Sequence, residues 1–128
     1  MDVATWVENY RVAWERADVE LASSLFTDDA TYRNDVFAAP NVGRAGVAEY
    51  WTRVTSRQSD VEVRMGRPFG VDGRFAVEFW TRMAVDAEDV TVSGTLLLLM
   101  ADDGRCRSLR ENVNVAEGRV DPPPEWGT

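Results

Sequence analysis

The sequence predicts an α+β fold, three N-terminal helices packed on a strongly curved antiparallel sheet that encloses a pocket. Two observations carry this. Apolar residues recur every three or four positions as far as Val54, and from Ser59 onward they recur every two. The second half is also cut by short Asp- and Gly-containing turns of the kind that join neighbouring antiparallel strands. Helices first and a meander after them place the helices on one face of the sheet. A chain of 128 residues has room for one domain with a real core, taken here as residues 1–128.

Val3, Trp6, Val7, Tyr10, Ala13, Trp14 and Ala17 form the broad apolar stripe of a first amphipathic helix. Asp18 is placed to cap a short second helix carrying Leu21, Ala22, Leu25 and Phe26, which Thr27-Asp28-Asp29 ends. Ala30 to Asp35 reads as a first strand, and Val47, Tyr50, Trp51 and Val54 mark a third helix. Val61, Val63 and Met65 alternate with charged residues up to Gly66. Asp72-Gly73 then signals a hairpin turn before a long strand from Arg74 to Val85. Further strands run from Val90 to Met100 and from Arg105 to Val115, followed by a Pro-rich tail that ends near Trp126. The unbroken apolar run Leu96 to Met100 marks a strand covered on both faces. The helices cover one face only, so a second copy of the chain is the expected cover for the other.

Composition narrows the chemistry. There is no histidine and no lysine, and all 14 basic residues are arginines. Schiff-base chemistry, Ser-His-Asp or Cys-His nucleophiles and histidine-rich metal sites are therefore out of reach, and no cofactor or metal is expected. Any catalysis must use Asp, Glu, Tyr, Arg, backbone amides or water. A net charge of −8 argues against nucleic acid and anionic membranes as partners. The N-terminus lacks the basic and apolar regions of a signal peptide, and no run is long enough to span a bilayer, so a cytoplasmic location is expected. The lone Cys106 excludes an internal disulfide and has no surroundings that mark a reactive thiol.

In the last strand Leu109, Glu111, Val113 and Val115 share one face, while Ser108, Arg110, Asn112 and Asn114 share the other. A carboxyl group on the apolar face should have a raised pKa, which suits a general acid or base near neutrality. Glu111 is the leading candidate. The strand Arg74–Val85 is ambiguous: pattern alone would bury Val77, Phe79, Thr81, Met83 and Val85, leaving Glu78, Trp80 and Arg82 outside.

The stretch Tyr10, Ala13, Asp18, Leu21 and Leu25-Phe26-Thr27-Asp28-Asp29-Ala30-Thr31-Tyr32, followed by Gly43 and Tyr50-Trp51, resembles the nuclear-transport-factor-2-like superfamily, and within it the bacterial SnoaL-like, polyketide-cyclase-like proteins. Asp72-Gly73-Arg74, Glu78-Phe79-Trp80, Gly94-Thr95-Leu96, Asp103-Gly104-Arg105-Cys106 and Leu109-Arg110-Glu111 continue the likeness in order. The resemblance implies a cone-shaped fold, often dimeric, with a ligand pocket. It is specific for fold and poor for activity, because the superfamily joins isomerases, cyclases, dehydratases and epoxide hydrolases with non-enzymes.

Alignment with ketosteroid isomerase puts Tyr10 on the oxyanion-donating tyrosine, Asn34 on the catalytic base and Leu96 on a protonated aspartate, which argues against steroid isomerisation. The same alignment turns Glu78, Trp80 and Arg82 into the pocket beside Glu111, with Phe79 and Met83 left for a dimer interface. On that reading Glu111 or Glu78 moves a proton, Tyr10 or Arg82 stabilises an oxyanion and Asn34 orients the substrate. Trp14, Tyr32, Trp51, Trp80 and Leu96 would line the cavity around a small apolar or aromatic ligand. An inward Glu-Arg-Glu group is more often a structural ion-pair network that fixes the sheet, and each aromatic taken singly is more often plain core packing. The function expected is a small-hydrophobic-molecule pocket protein using carboxylate acid/base chemistry of the isomerase, cyclase, dehydratase or epoxide-opening type. The alternative is a non-catalytic dimeric ligand-binding or assembly module.

Overall fold

A computed structural model describes residues 1–128. Helix α1 spans Val3–Arg16; the Asp2 side chain caps it by accepting from the Thr5 N–H at 2.8 Å, and it ends at Ala17 in the left-handed conformation. Its buried stripe is Trp6, Val7, Tyr10 and Ala13. Helix α2, Val19–Ser24, begins at Asp18, whose side chain accepts from the Leu21 N–H at 3.0 Å. Helix α3, Gly43–Thr55, buries Val47 and Trp51.

The strands are β1 Phe26–Arg33, β2 Asn41–Val42, β3 Gln58–Met65, β4 Phe69–Val71, β5 Arg74–Val85, β6 Glu88–Met100 and β7 Cys106–Glu117. They form one curved, unclosed sheet in the order β2-β1-β7-β6-β5-β3, with β4 also on β5. The short β2 and β4 carry too few residues to show a period in sequence. β1 begins earlier than expected because Phe26 pairs with Cys106, and a register shift before Thr31 absorbs Thr27 to Ala30. The β1–β7 pairing is parallel, a correction to an all-antiparallel sheet; the other pairings are antiparallel. Both two-residue hairpin turns, Asp72-Gly73 and Asp86-Ala87, have positive φ at both positions, the geometry that matches the natural twist of paired strands.

Strand β5 resolves its ambiguity in favour of simple alternation. Val77, Phe79, Thr81 and Met83 are buried on the face that meets the helices, and the Phe79 ring lies 5.7 Å from that of Trp14. Glu78, Trp80 and Arg82 lie on the opposite face, which corrects their placement in the pocket. The energetics explain the choice, since burying each large apolar side chain contributes about 1.5–3 kcal/mol. Turning the strand over would instead bury two charged groups and expose the apolar set.

The outer face has cover from the chain's own end. The Trp80 indole N–H donates to the Val120 carbonyl at 2.8 Å, and its ring meets Trp126 edge-on at 6.0 Å. Arg82 pairs with Glu62 and Asp121, and the Arg67 N–H donates to the Gly127 carbonyl. Charged residues of the sheet thus meet partners outside while the inner face stays apolar. In β6, Leu96 and Leu98 point inward and are buried, with Leu97 and Leu99 half-buried outside. No helix is long and apolar enough to cross a membrane.

Gly94 sits where the sheet is tightest. A Cβ there would lie 1.8 Å from the Asn112 carbonyl oxygen and 3.0 Å from the Phe79 ring. Gly94→Ala should therefore destabilise the protein by about 3 kcal/mol, near the upper end for overpacking because the clash is with backbone. Urea denaturation monitored by tryptophan fluorescence checks this, and an unchanged midpoint would contradict the packing described.

Candidate functional site

A cavity of about 200 Å³ lies between α1, α3 and the inner face of the sheet. Tyr10 and Trp14 reach it from α1, Tyr32 from β1, and Tyr50, Trp51, Val54 and Thr55 from α3. Gln58 enters from β3, Met83 from β5, Val92 from β6, and Glu111, Val113 and Val115 from β7. The cavity is open: Val113 and Val115 remain 40% and 69% exposed although they belong to its wall.

Among the residues singled out from sequence, Tyr10, Trp14, Tyr32, Trp51 and Glu111 stand together on this wall. Five others do not reach it. Asn34 is exposed in the turn after β1, within hydrogen-bond range of Asn41, because β1 ends at Arg33 and the chain there turns away. Leu96 is on the inner face, paired across the strands with Val77 and Glu111, but it is sealed into the core and touches no open space. Glu78, Trp80 and Arg82 occupy the outer face, as described above. The sequence did not mark Tyr50, Val54, Thr55, Gln58, Met83, Val92, Val113 and Val115 as wall residues. For Met83, Val113 and Val115 the period-two pattern was the signal; Gln58, a polar residue opening a strand, had none.

Glu111 is the only carboxyl on the wall, and no cation accompanies it. Its side chain has neither a hydrogen bond nor an ion pair within the chain, and burial pushes its pKa from an ordinary 4.5 up to about 7. The open mouth leaves Glu111 half-buried as a residue, yet the dense apolar surroundings still dominate. Three phenols respond to it: burial first, and then the Glu111 charge, raise the pKa values of Tyr10 and Tyr50, and both effects also act on Tyr32. These tyrosines stay neutral hydrogen-bond donors at any physiological pH. The hydroxyls of Tyr10 and Tyr32 lie 3.1 Å apart, so one donates to the other and one O–H remains free. Cys106 lies buried nearby in the core, its thiol pushed up to about 12 by burial and thus chemically quiet.

Residues 7–109 match the SnoaL-like domain family. The chain belongs to this family. Solved structures similar to the SnoaL-like chain include SalBIII, an epoxide hydrolase/cyclase-like enzyme in pyran ring formation in the polyether salinomycin. It has a TM-score of 0.77 and 19% identity over 89% of this chain and 94% of that one. A protein from Catenulispora acidiphila with a ketosteroid-isomerase-like fold, in complex with trimethylamine, has a TM-score of 0.75 and 17% identity over 84% and 83%. An LEH-like epoxide hydrolase of Mycobacterium tuberculosis has a TM-score of 0.71 and 21% identity over 86% and 80%. At such identities the likeness is one of fold. No curated protein matches the sequence.

The raised pKa has a consequence for stability. Between about 4.5 and 7 the folded SnoaL-like chain holds the Glu111 proton that the unfolded chain has lost, so stability falls as pH rises through this window and levels above it. Glu111→Gln removes this dependence. It should stabilise the protein at pH 8 relative to wild type by about 1–3 kcal/mol, and make little difference at pH 4. Chemical denaturation of both proteins at the two pH values measures the effect; a variant less stable at pH 8 would show that the carboxylate is satisfied.

Proposed function

We propose that this protein binds a small, largely apolar molecule in the cavity and acts on it by general acid/base catalysis through Glu111. The observation that supports this is a single carboxyl, uncompensated by any cation, in a wall of aromatic and aliphatic side chains. With a pKa near 7 both protonation states are populated at neutral pH, the condition for efficient proton transfer. As an acid Glu111 would give its proton to a carbonyl, hydroxyl or epoxide oxygen; as a base it would take a proton from carbon beside a carbonyl. The free O–H of the Tyr10–Tyr32 pair would stabilise the oxygen on which charge develops. The reaction class is isomerisation, cyclisation, dehydration or epoxide opening. Two structural neighbours, an epoxide hydrolase/cyclase-like enzyme and an epoxide hydrolase, agree with chemistry of this kind.

The same observation favours a second reading, non-catalytic ligand carriage, because one carboxyl without a second acid, base or cation is a small catalytic set. A second copy of the chain belongs to either reading. The half-buried Leu97 and Leu99 and the exposed Phe69 and Val71 leave an apolar area on the outer face for it to cover. The net charge of −8 continues to disfavour nucleic acid and anionic membranes.

Two compact probes separate the readings: indene oxide, followed for hydrolysis, and 1-indanone in D2O, followed by NMR for exchange of its α-protons. Wild-type protein should accelerate at least one reaction, with a pH profile that bends near 7. Glu111→Gln should lower that rate by roughly 100-fold or more. Equal rates for wild type and variant on both probes would remove the catalytic reading and leave carriage.

A further inference from the structure

The acid/base reading concerns one carboxyl; two other polar groups of the wall bear on what the cavity accepts. Trp6, Trp14 and Trp80 each donate their indole N–H to an acceptor, the Leu25 carbonyl, the Gln58 side-chain oxygen and the Val120 carbonyl respectively. Trp51 differs. It is 4% exposed, it forms part of the cavity wall, and its N–H is buried with no partner. A buried donor left unmade is costly, and folds rarely retain one without an acceptor arriving from elsewhere.

Gln58 adds a second unused donor. An indole N–H can only donate, so the carboxamide oxygen of Gln58 must face Trp14, at 2.9 Å. This fixes the amide orientation and leaves the NH2 group of this wall residue with no acceptor in the chain. The Thr55 hydroxyl, also on the wall, is already engaged in donating to the Trp51 carbonyl at 2.7 Å. With protonated Glu111 and the free tyrosine O–H, the polar groups of the wall are predominantly donors.

We propose that the Trp51 indole N–H and the Gln58 carboxamide N–H are specificity-determining donors, and that the ligand is a compact apolar molecule bearing acceptor oxygens, such as a ketone, lactone or cyclic ether. This rests on the reading of the cavity as a small-molecule site, and extends it from apolar to oxygenated ligands. A bare hydrocarbon fills the space but leaves both donors unmatched. An oxygenated ring of the same size satisfies them, and the discrimination rests chiefly on the Trp51 N–H, which is buried and would otherwise be unpaired.

The test compares 4-chromanone, which carries a ketone and a ring ether, with tetralin, its hydrocarbon counterpart. In 1H–15N spectra of the wild-type protein the Trp51 indole resonance, assigned by its loss in Trp51→Phe, should shift downfield with 4-chromanone and stay in place with tetralin. Trp51→Phe should weaken 4-chromanone binding about fivefold or more and change tetralin binding less than twofold. Gln58→Glu keeps the oxygen that Trp14 needs while replacing the donor, and should show the same selective loss. An indole resonance that ignores 4-chromanone, or variants that weaken both ligands equally, would overturn the assignment while leaving the cavity as a ligand site. Binding of neither probe would overturn the cavity reading, and this inference with it.

Discussion

Strand alternation across β5, β6 and β7 is the constraint on which the rest of the structure depends. Once Val77, Phe79 and Met83 are buried toward the helices, the cross-strand partners Leu96 and Glu111 are committed to the same face. Glu78, Trp80 and Arg82 are committed to the other. A shift of one residue would exchange these sets completely, so the register is held by the whole apolar face. Glu111 is carried inward by this geometry, in step with Leu109 and Val113.

The two faces handle charge differently. Outside, Arg82 and Arg119 share Glu62 and reach Asp121 and Asp89 respectively, while Arg64 lies over the Trp126 ring. These exposed pairs fasten the C-terminal tail to the sheet, each contributing little on its own. Inside, the only ionisable acid on the cavity wall has no cation at all, and phenols surround it as neutral donors. A structural ion-pair network of Glu and Arg does exist in this protein, but on the side away from the cavity. Its location separates the part of the polar chemistry that holds the fold from the part available to a ligand.

Much of this was legible in the sequence, and the limits have physical causes. The helical stripe from Val3 to Trp14 and the alternation around Glu111 report directly on burial, so α1, β7 and the inward carboxyl could be read from them. Alternation also gave the right face for Met83. The likeness to an isomerase pointed the other way for β5, because aligning diffuse motifs does not preserve the parity of a strand. Asn34 was misplaced because β1 ends at Arg33, and the turn that follows sends its side chain to solvent. Gln58 and the idle Trp51 N–H could not be found from sequence. A hydrogen-bond vacancy is a property of three-dimensional neighbours, and residue type alone does not reveal it.

The central claim is that Glu111 stands uncompensated in an apolar wall, and its carboxyl carbon reports on this directly. With glutamate labelled at the side-chain carboxyl and Glu111 assigned through Glu111→Gln, a 13C titration should give a midpoint near 7, well apart from the other glutamates. A midpoint at the ordinary value of about 4.5 would show that water or neighbouring donors satisfy the carboxylate. That result would contradict both the stability profile and the proposed acid/base role.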